Sequence, residues 1–374
     1  MMMDQTKEHA LTDIVKKFES AFPNRKDEDW VNYDLDAVFH GTYQLPQYVE
    51  DEPSKRDGFY LHFKHNQLVS YHLPDGASLS KKDKHVAASS NGLIQMIQQS
   101  AETIQLDISN CESTIHIIQE ATENTFACHC FNIVAHESTV TFNRTFIAPK
   151  NALLFSYCTV SVNNQSNVII HDQNQKNDGK ILEFSKAWVQ ADCHFYGLNQ
   201  SFFSTHSRFD TEVFIEGESA TARLHGIGLN HPKQELFYNT HVHHNVANTE
   251  SHQLFKSVNQ DDALFEYNGK VSVKKHAQNI ESYQLNQNIV LDEVATVYSR
   301  PQLFIDADDV SCTHGSTTGD LNQEALFYLM SRGLGEEESK RMILHAFILE
   351  AFNHPQFEPF KPTSVLFDFD EQKV

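Results

Sequence analysis

The sequence predicts a mainly β protein whose long central strand region is flanked by a small mixed region and a helical tail. Three observations predict it. From about residue 104 to 306 the chain runs as strand after short strand with period-2 character and no intervening helical pattern. Turn residues punctuate that stretch at Asn163-Asn164, Asn177-Asp-Gly179, Glu216-Gly217 and Asn268-Gly269. Apolar residues at three- and four-residue spacing appear only toward the two ends.

Taken in order, residues 9 to 22 predict an amphipathic helix, with Leu11, Ile14, Val15, Phe18 and Phe22 on one face and Pro23-Asn24 ending it. Phe59, Leu61 and Phe63 alternate with polar neighbours; His65-Asn66-Gln67 then turns the chain into Leu68 to Leu73, a hairpin pattern. Asn91 to Gln99 reads as a short helix. Residues 1–100 therefore form a mixed α/β amino-terminal region. Strands follow at Thr114–Ile118, Val140–Phe146, Leu153–Val162, Val168–His171, Leu182–Val189, Glu212–Ile215, Glu235–Tyr238, Lys270–Val273 and Thr296–Ile305. Strands without helices between them imply a solenoid, a sandwich or a barrel. No clean repeat is visible, so the residues alone leave those three open. In the tail, Asp320 is placed to cap a helix carrying Leu321, Ala325, Leu326 and Leu329, and Gly333 to stop it. Glu336-Glu-Glu338 opens a second helix, where negative charge suits the positive end of the dipole. Ile343, Leu344, Phe347, Ile348, Ala351 and Phe352 give that helix a wide apolar face. Residues 354 to 374 read as irregular.

Composition narrows the function classes. The formal net charge is −21, from 50 acidic and 29 basic side chains, which argues against binding a phosphate backbone. No run of about 18 apolar residues is present, so no membrane-spanning helix is expected. The polar start, Met1 to His9, lacks the apolar centre of a secretory signal. Six irregularly spaced cysteines do not make a disulfide framework, so a reducing cytoplasm is the expected setting. There is no G-x-x-x-x-G-K-[ST] loop and no G-x-S-x-G elbow, and Gly226-Ile-Gly228 is too short for a dinucleotide fingerprint. ATP-driven work would fall to a partner.

Three groups of residues carry metal-ligand chemistry. Cys312 and His314 sit two apart, so in an extended segment a thiol and an imidazole share one face. That pair suits iron or zinc better than calcium, though two side chains leave a four-ligand shell incomplete. Cys128-His-Cys130 aims two thiols one way, and a zinc site there needs a second pair such as Cys111 and Cys158; plain packing of buried thiols is the favoured reading. His241 and His243 share a strand face, with His244 and His252 nearby, which admits a metal-dependent β-helical or cupin-like enzyme as the alternative function. A structural or intersubunit role is favoured for that group.

The words around Cys312 also carry a family likeness. Asp308-Asp-Val-Ser-Cys-Thr-His-Gly315 followed by Glu324-Ala-Leu-Phe-Tyr-Leu-Met-Ser-Arg-Gly333 resembles the carboxy-terminal signature of the SufB/SufD family of iron–sulfur cluster assembly proteins. Phe265 to Val273, Ala277-Gln278, Pro301 to Ile305 and the Arg25-x-x-Glu28-x-Trp30 element support it. The likeness is strong from about 205 to 352 and weak between 100 and 200. It is closest to SufD. SufB carries an upstream strand cysteine, whereas no cysteine lies between Cys193 and Cys312, and Gly315 stands where SufB places a glutamate. The resemblance implies a right-handed parallel β-helix over 101–318 and a helical region over 319–374 that contacts an ATPase. It implies a non-catalytic scaffold, paired with a SufB-like subunit through β-helix strands and with a SufC-like ATPase through Leu344, Phe347, Ile348 and Phe352. It further implies that His314, with Cys312 beside it, faces iron or a nascent cluster shared with the partner, held transiently and not by this chain alone. Whether the isolated chain forms a homodimer is left open.

Overall fold

The computed structural model describes residues 15–39, 43, 58–82, 91–175 and 177–362. Nineteen strands dominate the described residues in two sheets, and from β4 onward they divide by the parity of their number. The odd sheet holds β1 (Phe59–Lys64), β5 (Glu112–Glu120), β7 (Thr139–Ile147), β9 (Asn167–Gln175), β11 (His194–Phe202), β13 (Thr221–Asn230), β15 (Thr249–Asn259), β17 (Ile280–Val290) and β19 (Val310–Gly319), with β2 (Gln67–His72) at its far edge. The even sheet holds β4 (Thr103–Ser109), β6 (Phe126–His136), β8 (Leu153–Asn163), β10 (Lys180–Val189), β12 (His206–Ile215), β14 (Glu235–His244), β16 (Leu264–Val273) and β18 (Thr296–Ile305), with β3 (Ala77–Lys82) at its edge. From β4 onward every pairing is parallel, and successive strands of the chain alternate between sheets. The result is a parallel β-solenoid of about 8 turns.

Stacked side chains show why the sequence winds this way. Thr159 bonds Asn132 across 27 residues, Asn230 bonds Asn259 across 29, and Asn279 bonds Asn248 across 31. The coil length drifts and only residue character is retained, so no literal repeat is legible. Corners need left-handed backbone, and Asn110, Asn124, Asn151, Asn164, Asn248 and Asn279 supply it at φ between 52° and 58°. Ser138 and Ser166 stack at one corner, where each hydroxyl accepts from a backbone N–H of the preceding coil at 3.1 Å.

Alternation along each strand divides the core. In β6, Ala127, Phe131, Ile133 and Ala135 point between the sheets, while Phe126, Cys128 and Cys130 point outward into a second cluster. That outer cluster is closed by Phe18, Trp30, Tyr33, Val38 and the helix Gly92–Ser100 from the amino-terminal region. Asn91 caps this helix, its side chain accepting from the Leu93 N–H. The opposite face, on β11, β13 and β15, is covered by the helix Glu336–Leu349 and the segment after it.

The hairpin β1–β2 turns at His65, as expected, and β1 then joins β5 in parallel. Leu11 and Ile14 of the expected first helix lie outside the described residues, as do residues 363–374 of the tail. Two expectations are corrected. Asn268-Gly269 is not a turn; both lie inside β16. A Cβ on Gly269 would meet Gln284 Nε2 at 2.0 Å and the Tyr267 hydroxyl at 2.2 Å, so the glycine makes room for core side chains. The first tail helix, Gln323–Ser331, is capped by Asn322 and not by Asp320; the Asn322 side chain accepts from the Ala325 N–H. Gly333 follows it at φ 96°, as expected for a left-handed stop.

Candidate functional site

The two ends of the solenoid differ. Antiparallel β2 and β3 close the amino-terminal end. At the other end β18 and β19 are terminal in their sheets, and among the described residues nothing pairs with their outer edges. Ten-residue edge strands left open in this way are templates for another chain. Pro301, which lacks an N–H, sits in β18, the position in a sheet that proline tolerates.

Cys312 and His314 lie on β19, abreast of Ser282 and Gln284 of β17. Those two are buried and point between the sheets, so alternation puts the thiol and the imidazole on the lumen side of the last coil. The Ser299 and Ser316 hydroxyls, 2.7 Å apart, join β18 to β19 across that gap. Cys312 is half-buried against Val271, Val273, Ala277 and Ile280, and burial raises its thiol above the ordinary value. His314 is exposed. The sequence-based expectation that both share one face therefore matches their placement at an open end.

Beneath them runs a polar file that sequence reading missed. Gln284 Nε2 donates to the Tyr267 hydroxyl at 3.0 Å, which donates to Gln253 Oε1 at 3.2 Å; Thr240 also donates to Gln253. Gln284 is fully buried, yet its Oε1 has no hydrogen-bond partner. The available signal was the run Gln284-Leu-Asn286-Gln-Asn288, which places amides at inward positions where aliphatic residues are the norm.

Of the residues expected to contact the ATPase, three pack inside the chain and one is partly accessible. Leu344, Ile348 and Phe352 are buried against Leu198, Ile227, Leu229, Leu254 and Val258 of the odd sheet. Each fully buried large apolar side chain contributes about 1.5–3 kcal/mol, so this face serves the chain's own core. Phe347 is half-buried, with Lys256 Nζ 4.1 Å from its ring centroid. Lys256 also pairs with Glu350, and His225 Nδ1 meets the Ala351 carbonyl at 2.6 Å. The apolar groups the tail leaves in solvent are Phe327, Tyr328, Met330 and Met342, with Phe327 75% exposed.

Cys128 and Cys130 are buried among Phe126, Phe155 and Tyr157, while Cys111 and Cys158 lie in the cluster between the sheets. The four thiols are not brought together as a zinc site requires. Burial pushes the Cys130 thiol up to about 11 and raises the Cys128 thiol well above its ordinary value. The histidine group is split. His244 faces inward, bonded to the hydroxyls of Thr249 at 2.7 Å and Ser251 at 2.8 Å. His241 and His243 face outward beside Glu212, whose carboxyl is held at about 2: burial opposes ionisation, but bonds from His243 and Lys186 outweigh it. His252 lies on the odd sheet, in an outer groove with Arg223, Tyr283 and Thr313. The cupin-like form of the enzyme alternative does not survive, because the strands stack in open parallel sheets and close no small barrel.

A parallel solenoid whose described residues end on strands with open outer edges, with soft and borderline metal donors on the last one, defines a class: a β-solenoid with an open terminal coil. Comparison with known proteins supplies the family. Residues 116–347 match the family model described as SUF system FeS cluster assembly, SufBD core domain, and the chain belongs to that family. Among its relatives, the iron–sulfur cluster assembly protein SufD of Escherichia coli is 34% identical over 143 residues, covering 38% of this chain and 34% of the relative. A SufBD family protein of Synechocystis is 32% identical over 154 residues, covering 41% and 31%. SufD of Bacillus subtilis is 27% identical over 157 residues, covering 42% and 36%. The chain thus spans about a third of the length of these curated relatives. Among the described residues, no helix is long and apolar enough to cross a membrane.

Proposed function

We propose that this chain is a SufD-like, non-catalytic scaffold subunit of a cytoplasmic SUF assembly complex. One observation carries the reading: among the described residues the solenoid ends on two strands whose outer edges are unpaired, and one of them presents an exposed imidazole beside a half-buried thiol. A SufB-like subunit adds its own strands to β18 and β19, extending both sheets across the junction. His314, with Cys312, then contributes to the shell around iron or a nascent cluster, which is cargo and not a resident cofactor. Two protein donors leave that shell incomplete, so the remaining ligands come from the partner or from sulfide.

The SufC-like ATPase docks on the tail. Because Leu344, Ile348 and Phe352 are internal, the docking surface is the outer side of the two tail helices, around Phe327, Tyr328, Met330 and Met342. Lys256–Glu350 and the His225–Ala351 bond tie the turn after the second of those helices to β15 and β13. Closure of two ATPase subunits would reach the open coil through these ties.

The test is co-expression with a SufB-like chain and its ATPase. The wild type should co-purify with both. His314→Ala should keep the complex and abolish cluster assembly in cells. Normal assembly in that variant removes the metal role, and failure of the wild-type chain to enter the complex removes the scaffold reading.

A further inference from the structure

Away from the open coil, three potential ligands converge on the outer face of the even sheet. Glu212 of β12 lies abreast of His241 of β14, and His243 follows on the same face, with buried Val242 between them pointing inward. One donor atom from each of Glu212, His241 and His243 can be chosen so that all lie within 4.8 Å of one another. The rings of His241 and His243 have centroids 3.7 Å apart. His243 is fixed in plane by stacking on Phe214 at 4.6 Å, and Phe214 stacks in turn on Trp188. His243 Nε2 contacts Glu212 Oε1 at 3.0 Å, and His241 Nε2 contacts the Ser272 hydroxyl at 2.7 Å.

We propose that Glu212, His241 and His243 form a binding site for one divalent transition-metal ion, Zn²⁺ or Fe²⁺. Two imidazoles and one carboxylate suit these borderline cations, and three protein donors leave the remaining positions open to water or a small ligand. The donors stand on adjacent, mid-sheet strands, so binding asks for side-chain rotation and no backbone movement. The way in is a cavity of about 320 Å³ that Glu212 and His241 line together with Lys186 and Lys270. Two cations flank the site and set its affinity. Lys270 is balanced by Asp29 at 2.9 Å and Glu28 at 3.8 Å, both from the amino-terminal region. Lys186 holds Glu212 Oε2 at 2.7 Å and so competes directly with a metal for the carboxylate. This site is independent of Cys312 and His314, and its failure leaves the scaffold reading untouched.

The experiment titrates the metal-stripped full chain with Zn²⁺ against a chromophoric chelator, and with Co²⁺ followed by visible absorption. One tight equivalent is expected, with a Co²⁺ spectrum of nitrogen and oxygen donors and no thiolate charge-transfer band. Glu212→Gln and His243→Ala should each weaken binding at least tenfold. Lys186→Met should tighten it several-fold, and the double variant Cys312→Ala with His314→Ala should not change it. No tight equivalent in the wild type, or binding unmoved by Glu212→Gln and His243→Ala, overturns the site, as does loss confined to the Cys312/His314 double variant. If circular dichroism shows that the His243 variant does not fold, Lys186→Met decides: tighter binding supports the site and unchanged binding overturns it.

Discussion

Arg144 shows how much a single buried residue organises. Its side chain is 1% exposed and makes a paired contact with Asp172 at 2.5 and 2.7 Å, while Nη1 donates to Glu183 Oε1 at 2.8 Å. One guanidinium thus serves two carboxylates. Burial raises Glu183 to about 7, with Arg144 pulling the other way, and its second oxygen has no partner. Arg144→Met should leave two buried acids facing each other and cost about 3–5 kcal/mol, read from urea unfolding. Adding Asp172→Asn and Glu183→Gln should recover most of that loss. A loss under about 1 kcal/mol for the single variant would show that the network contributes little. The sequence did not reveal this triad, since its members come from β7, β9 and β10 and meet only when successive coils stack. Cys312 and His314 were legible for the opposite reason, because a spacing of two in a strand is local geometry.

The tail helices show where periodicity stops informing. The apolar stripe from Ile343 to Phe352 was plain in the sequence, and so were the acidic start and the glycine stop. A stripe says that a face is covered, not by what. The structure covers Leu344, Ile348 and Phe352 with the chain's own odd sheet and leaves Phe327 and Tyr328 in solvent. The two faces should therefore answer differently to charge. Ile348→Glu should destabilise the fold by several kcal/mol, seen as a lowered thermal midpoint and lost solubility. Phe327→Glu with Tyr328→Glu should leave the midpoint within a degree or two and weaken binding of the proposed ATPase partner at least tenfold in a titration. ATPase affinity unchanged in that double variant would move the docking surface elsewhere.

At the scale of the whole molecule, burial makes stability depend on pH. Burial lowers His129 and His225 to about 3 and His171 to about 4, against an ordinary value of 6.5. These rings are neutral when folded and take up protons when unfolded below 6.5, so the stability they carry is present above 6.5 and falls as pH drops toward 3–4. Glu183 works the other way: raised to about 7 in the fold, it favours the folded state as pH falls from 7 toward 4.5. Burial also lowers His241, His244 and His252 to about 4, so the buried imidazoles outweigh Glu183 and unfolding takes up protons near pH 5. Urea midpoints measured from pH 7 to pH 5 should fall steadily. A flat or rising profile would mean that these imidazoles reach water or charge in place. His129→Gln should flatten the slope by about one proton.

The sequence by itself determined the β-rich centre, many strand positions, turns such as Asn163-Asn164, the flanking helices and the local pairing of Cys312 with His314. All of these depend on neighbours within a few residues, where period 2, period 3.6 and turn chemistry act. It could not choose between solenoid, sandwich and barrel without the family likeness, because coils of 27 to 31 residues share side-chain character and not identity. Tertiary structure alone decided which apolar faces are internal, why Gly269 sits in a strand, and that Glu212 meets His241 and His243. Each of those depends on which coil lands on which, a register set by packing across the whole stack.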